Sequence, residues 1–159
     1  MSTVDGVVKG PDAHGVVQGD GGAVDRMAGD AGSNRLEGHA TLNLYFGGAG
    51  NDTFIIADKF AVAGGAVNHS TTVFDEQTSY VNDFHGAGTS TGEQDFIAFQ
   101  DYLPGSLTLD HTGKSGTPGA VLYYYEVTDV AGNIHNVIVN SLNGNPLGAG
   151  DFNFVGLTV

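Results

Sequence analysis

Gly47-Gly48-Ala49-Gly50-Asn51-Asp52-Thr53-Phe54-Ile55 holds a tight turn and a short strand within nine residues. Three glycines in its first four places open backbone conformations that other residues avoid, and Asn51 and Asp52 are turn formers with oxygen-bearing side chains. Thr53-Phe54-Ile55 is then a β-forming run with one large apolar residue at its centre. Working outward toward the N-terminus, the place of Phe54 is taken by Tyr45, Leu36, Met27, Val17 and Val8, at steps of nine, nine, nine, ten and nine. Gly47, Gly38, Gly29, Gly19 and Gly10 keep the same phase. This is an internal repeat, and its one longer step is read as an extra residue at Val24.

The pattern G-G-x-G-x-D-x-U-x, with U a large apolar residue, resembles the calcium-binding nonapeptide repeat of RTX proteins, which form a parallel β-roll. Gly47 to Ile55 matches in full, and Gly29-Asp30-Ala31-Gly32-Ser33-Asn34-Arg35-Leu36-Glu37 nearly so. The other units keep the period with less glycine and aspartate. The resemblance implies that each unit stacks on the unit two along, which pairs Asp25 with Asn43 on one side and Asn34 with Asp52 on the other. It also implies calcium between stacked turns, in a cage of aspartate side chains and glycine carbonyls suited to a hard cation. At the sixth place of each unit stand Gly6, Gly15, Asp25, Asn34, Asn43 and Asp52, so few ions are expected and none between the first units. Gly47 and Gly50 supply turn carbonyls in the complete unit, and Asp30, with Asp12 and Asp20, lies close by in the turns.

After Ile55 the period stops. Val73-Phe74 and Ser79-Tyr80-Val81 read as short strands. Asn82-Asp83-Phe84-His85-Gly86 with Glu93-Gln94-Asp95-Phe96-Ile97-Ala98-Phe99 resembles the D-F-x-x-G-x-D-x-I-x-L signature that follows RTX repeats, with a longer connection, Ala87 to Gly92. By that resemblance Asp83 and Asp95 lie near calcium. Ala120 to Val127 and Ile134 to Val139 flank Asp129-Val130-Ala131-Gly132-Asn133 as a hairpin. Tyr123, Tyr124 and Tyr125 then point to alternate faces and are read as packing residues, with sugar stacking the alternative. Leu147 to Val155 resembles the closing strand of RTX secretion domains.

The expected fold is all-β: a degenerate parallel β-roll over residues 1–57, continuing into an antiparallel, sandwich-like part over 58–159. The 26 glycines and 4 prolines suit a chain of strands and tight turns. A net charge of −13 repels nucleic acid and supplies carboxylates for a hard cation. Without cysteine there is neither a disulfide nor a thiolate metal site. No stretch is long and apolar enough for membrane insertion, and Met1-Ser2-Thr3-Val4-Asp5-Gly6 does not read as a Sec signal. The resemblance instead implies type I export, read from an uncleaved C-terminal signal, and a secreted, extracellular protein.

Catalytic spacings are absent: there is no H-E-x-x-H and no G-x-S-x-G. Gly113-Lys114-Ser115 lacks the earlier glycine of a phosphate-binding loop, since Thr108 stands there, and reads as a solvated loop. The six histidines have no ligand spacing and read as surface or turn residues. The expected function is a non-catalytic calcium-binding module that folds on calcium after type I export. The alternative is a polysaccharide-binding module, which the chain also resembles in the modules that accompany alginate epimerases; it ranks second because an anionic polyuronate needs a basic track and only Lys9, Arg26, Arg35, Lys59 and Lys114 are basic.

Overall fold

The computed structural model describes residues 8–11, 15–19, 24–38, 40–57, 77–129, 132 and 134–155, and every regular element in them is a β-strand. The first six strands are β1 (Val8–Lys9), β2 (Val16–Gln18), β3 (Val24–Ala28), β4 (Arg35–Gly38), β5 (Leu42–Phe46) and β6 (Thr53–Ala57). They are followed by β7 (Gln77–Phe84), β8 (Phe96–Gln100), β9 (Thr108–Lys114), β10 (Val121–Thr128), β11 (Ile134–Ser141) and β12 (Phe152–Val155). Two sheets result, one of seven strands in the order β1-β3-β5-β7-β11-β10-β9 and one of five in the order β12-β8-β6-β4-β2.

From β1 to β8 the chain crosses to the opposite sheet after every strand, and each strand pairs in parallel with the next but one. A unit of nine residues is too short for a hairpin and a helix, but long enough for a short strand and a glycine turn that carries the chain across. The register pairs Asp25 with Asn43, Met27 with Tyr45 and Leu36 with Phe54. Two details depart from the repeat as read along the sequence. Val24 pairs with Leu42 as an ordinary strand residue, so it is not itself the extra residue of the longer step. In addition, β1 sets Val8 opposite Arg26 and Lys9 opposite Met27, one residue out of the phase that aligns Val8 with Met27.

The periodic apolar places form the core. Val17, Met27, Leu36, Tyr45 and Phe54 have no exposed surface, as expected where alternate residues of a strand face the opposite sheet. The Tyr45 ring meets Phe54 edge-on at 5.7 Å between centroids, and Phe54 reaches Phe84 at 6.3 Å. The Tyr45 hydroxyl donates to the Ile55 carbonyl at 2.8 Å, which satisfies the polar end of an otherwise apolar side chain. Val81, Ile97, Phe99, Val137 and Val139 extend the same cluster, so both sheets and their core continue past the end of the repeats.

The second half is less antiparallel than its sequence suggests. Only β9, β10 and β11 pair in that sense, whereas β7, β8 and β12 join parallel neighbours. β7 and β8 continue the crossing pattern, and parallel pairing is what that pattern produces. Tyr123 and Tyr125 are buried while Tyr124 lies on the outer face. Gly113 and Lys114 are not in a loop but close β9, an exposed edge strand. The expected strand at Val73-Phe74 lies outside the described residues. No helix among the described residues is long and apolar enough to cross a membrane.

Candidate metal centre

The turns that lead into β4, β6 and β8 stack on one another, because Arg35 pairs with Thr53 and Thr53 with Phe96. Asn34, Asp52 and Asp95 therefore occupy equivalent places, one residue ahead of each strand. A ladder of hydrogen bonds joins them. The Asn34 amide donates to Asp52 Oδ1 at 2.8 Å, and the Asp52 amide donates to Asp95 Oδ1 at 2.9 Å. All three side chains are buried at the end of the core, where a carboxylate is stable only with donors or a cation beside it.

Stacking this close requires glycine. Gly48 and Gly50 have φ of 88° and 106°, and a methyl group on them would sit 2.5 Å from the Asp30 carbonyl oxygen and 2.8 Å from that of Gly32. A Cβ on Gly47 would lie 2.5 Å from Asp52 Oδ2. The glycines thus bring backbone carbonyls of one turn against the next and leave room for the Asp52 carboxylate between them.

A second set of side chains closes over the turn from β7 and the loop before β8. Asp83 accepts from the Gly47 and Gly48 amides at 2.8 and 2.9 Å, one to each carboxylate oxygen. Glu93 accepts from the Gly50 amide at 2.9 Å. Asp95 Oδ2 accepts from the His85 amide at 2.8 Å and lies 3.1 Å from His85 Nδ1, while His85 Nε2 is 3.5 Å from Glu93. The longer connection from Ala87 to Gly92 does not part the two aspartates. The Asp95 backbone amide donates back to the His85 carbonyl at 3.1 Å and that of Thr89 to the Gly86 carbonyl at 3.0 Å, so the extra residues form a closed excursion.

The electrostatics follow from burial. The Asp52 carboxyl is pushed up to about 7, chiefly by desolvation and further by the charges of Asp95 and Asp83, against the Asn34 amide and His85. Asp83 and Asp95 are raised as well, again mainly by desolvation, which the amides of Gly48 and Gly47 and of Asp52 and His85 partly offset. Asp30, at the exposed rim, is lowered by the Gly32 amide and the Asn34 side chain. Asp52 Oδ2 is buried with no hydrogen-bond partner. The site therefore carries more negative charge than its donors neutralise.

Those features fit a hard cation in part. The carboxylates and turn carbonyls offer oxygen ligands, one buried carboxylate oxygen is unpartnered, and turn carbonyls line the stack. However, no three His, Asp or Glu side chains among the described residues are grouped to hold a metal. An ion here would draw on Asp52 and turn carbonyls more than on convergent carboxylates.

Of the residues singled out in the sequence, Asn34, Gly47, Gly50, Asp52, Asp83 and Asp95 meet around these turns, with Asp30 at their rim. Asp25 and Asn43 do not join them. They pair with each other on the seven-stranded sheet, where the next residue in the row is Ser79. Asn43 accepts from the Ala40 amide at 2.9 Å and donates to the Ala40 carbonyl at 3.0 Å, so its amide already closes its own turn. Asp12 and Asp20 lie outside the described residues. Compared with family models, curated proteins and solved structures, the chain matches none.

His85 and Glu93 were not legible as parts of the site. The one available signal was their spacing, each two residues from a singled-out aspartate. His135 is a plainer correction, since it is buried rather than a surface or turn residue. Its Nε2 is 3.0 Å from Ser79 Oγ and its Nδ1 is hydrogen-bonded to the Tyr102 hydroxyl, and burial pushes the imidazole down to about 3. Ser79 is buried as well.

Proposed function

We propose that this chain is a non-catalytic, calcium-binding module of the RTX kind, a degenerate parallel β-roll that orders on calcium after export. The observation that carries the reading is Asp52 Oδ2, a buried and unpartnered carboxylate oxygen inside a stack of glycine turns, with Asp83 and Asp95 beside it. The nine-residue repeat, the crossing between sheets and the pairing of every second strand support the same reading. Calcium would supply positive charge and a demand for oxygen ligands where the protein has neither a lysine nor an arginine among the groups acting on Asp52. A calcium titration by calorimetry tests it. Wild-type protein should bind calcium and Asp52→Asn should lose at least one ion; equal binding by both would remove Asp52 from the site.

Type I export and an extracellular location belong to this proposal through the sequence resemblance. Deleting residues 156–159 should abolish secretion from a host carrying a type I channel. The anionic-polysaccharide alternative gains nothing from the geometry: Arg26 and Arg35 lie in different sheets, and Lys114 is at the far edge of the larger one.

A further inference from the structure

On the outer face of the seven-stranded sheet, two unlike rows run side by side across four strands. Tyr80, Ile138, Tyr124 and His111 are register partners in β7, β11, β10 and β9. The neighbouring row has Thr78, Asn136, Glu126 and Thr108. The aromatic row is held in place, since the His111 and Tyr124 rings stack at 4.2 Å with 11° between planes and Asp110 accepts from His111 Nδ1 at 2.6 Å. Between the rows runs a groove of about 210 Å³ bordered by Thr78, Asn136, Glu126, Tyr124 and Asp110.

We propose that this groove binds an amino sugar, with the apolar face of one pyranose ring against Tyr124 and Ile138 and its ammonium group between Glu126 and Asp110. A sugar ring has one apolar face and a polar rim, which is the division the two rows present. The volume is below the roughly 300 Å³ at which drug-sized pockets begin, so it suits a single ring of a longer chain lying across the strands. Charge decides the class of sugar. Two carboxylates border the groove, Glu126 and Asp110, the second also accepting from His111 on the groove's edge, and the arginine on the same row, Arg26, lies beyond Leu44 from Tyr80. A uronate would meet those carboxylates with like charge, whereas a glucosamine would complement them. The proposal does not rest on the calcium reading.

The test uses the full chain in calcium-containing buffer, titrated with a glucosamine oligomer, its N-acetylated counterpart and a uronate oligomer. The amine should bind with Kd on the order of 1 mM or tighter, with amide shifts at Tyr124, Glu126 and Asn136. N-acetylation should weaken it at least about fivefold, and Glu126→Gln and Asp110→Asn about two- to fivefold each. Tyr124→Leu, which keeps an apolar side chain in the strand, should abolish the shifts. Glu37→Gln removes the same charge from the other sheet and should change nothing, so general attraction of a polycation to a −13 protein is separated from a site. No binding of the amine at millimolar concentration, equal binding of the neutral oligomer, or an equal loss in Glu37→Gln would each overturn the proposal.

Discussion

Single residues decide whether the turns can stack, and glycines there are not equivalent. A side chain at Gly92 meets open space and only the strain of φ 78°, so Gly92→Ala should cost about 1 kcal/mol. Gly48→Ala adds a contact of 2.5 Å with the Asp30 carbonyl, and should cost roughly 2–4 kcal/mol in thermal or denaturant unfolding. Equal costs would mean that the turns are not packed on each other. Asp52 gives a prediction in pH. Its carboxyl is raised from 3.8 to about 7 in the folded chain, so the fold holds its proton more tightly than the unfolded chain does. Stability from this group is full below about pH 4 and is lost as pH rises through about 7. At about 1.4 kcal/mol per unit the loss has a ceiling of roughly 4 kcal/mol. In chelator, Asp52→Asn should flatten that decline, and in wild-type protein calcium should remove it. A wild-type chain equally stable at pH 5 and pH 8 in chelator would contradict the burial of this charge.

At the scale of elements, β7 and β11 are joined by more than their ladder. Ser79, His135, Tyr102 and Gln77 form a buried chain of polar contacts ending on the Ala57 carbonyl. His135 is held neutral, its value lowered from 6.5 to about 3, so its contribution is complete above pH 6.5 and is lost as pH falls toward 3. Replacing it with Gln should remove this acid sensitivity while leaving the Asp52 limb in place; an unchanged acid limb would assign that limb elsewhere. Little of this element pairing was legible in the sequence. The nine-residue phase located Val17, Met27, Leu36, Tyr45 and Phe54 because glycine turns repeat the same local geometry. The parallel pairing of Tyr80 with Ile138 has no such local cause, since it joins stretches far apart in the chain and is chosen by core packing. β9 was invisible for the opposite reason: both its faces are largely exposed, so Thr108 to Lys114 shows no apolar alternation. Asp52, Asp83 and Asp95 could be picked out by motif, whereas His85 and Glu93 became visible only when the excursion of residues 87–92 closed on itself.

The whole molecule carries a charge of −13 and sets two of its buried carboxylates, Asp52 and Asp95, one above the other beside a core that both sheets share. Without a cation, the repulsion falls on the turns before β4, β6 and β8, while the strands around Phe54, Phe84 and Phe99 keep their apolar contacts. A ligand bound only by the folded state stabilises it by RT ln(1 + [L]/Kd), about 2.7 kcal/mol at a hundredfold excess. That gain should appear at the turns first. Amide hydrogen exchange with calcium and with chelator measures it residue by residue. Calcium should slow exchange in residues 29–34, 47–52 and 83–95 well beyond any change in β10 and β11, and Asp52→Asn should erase the difference. Identical exchange in these turns under both conditions would contradict the assignment of a calcium site to them.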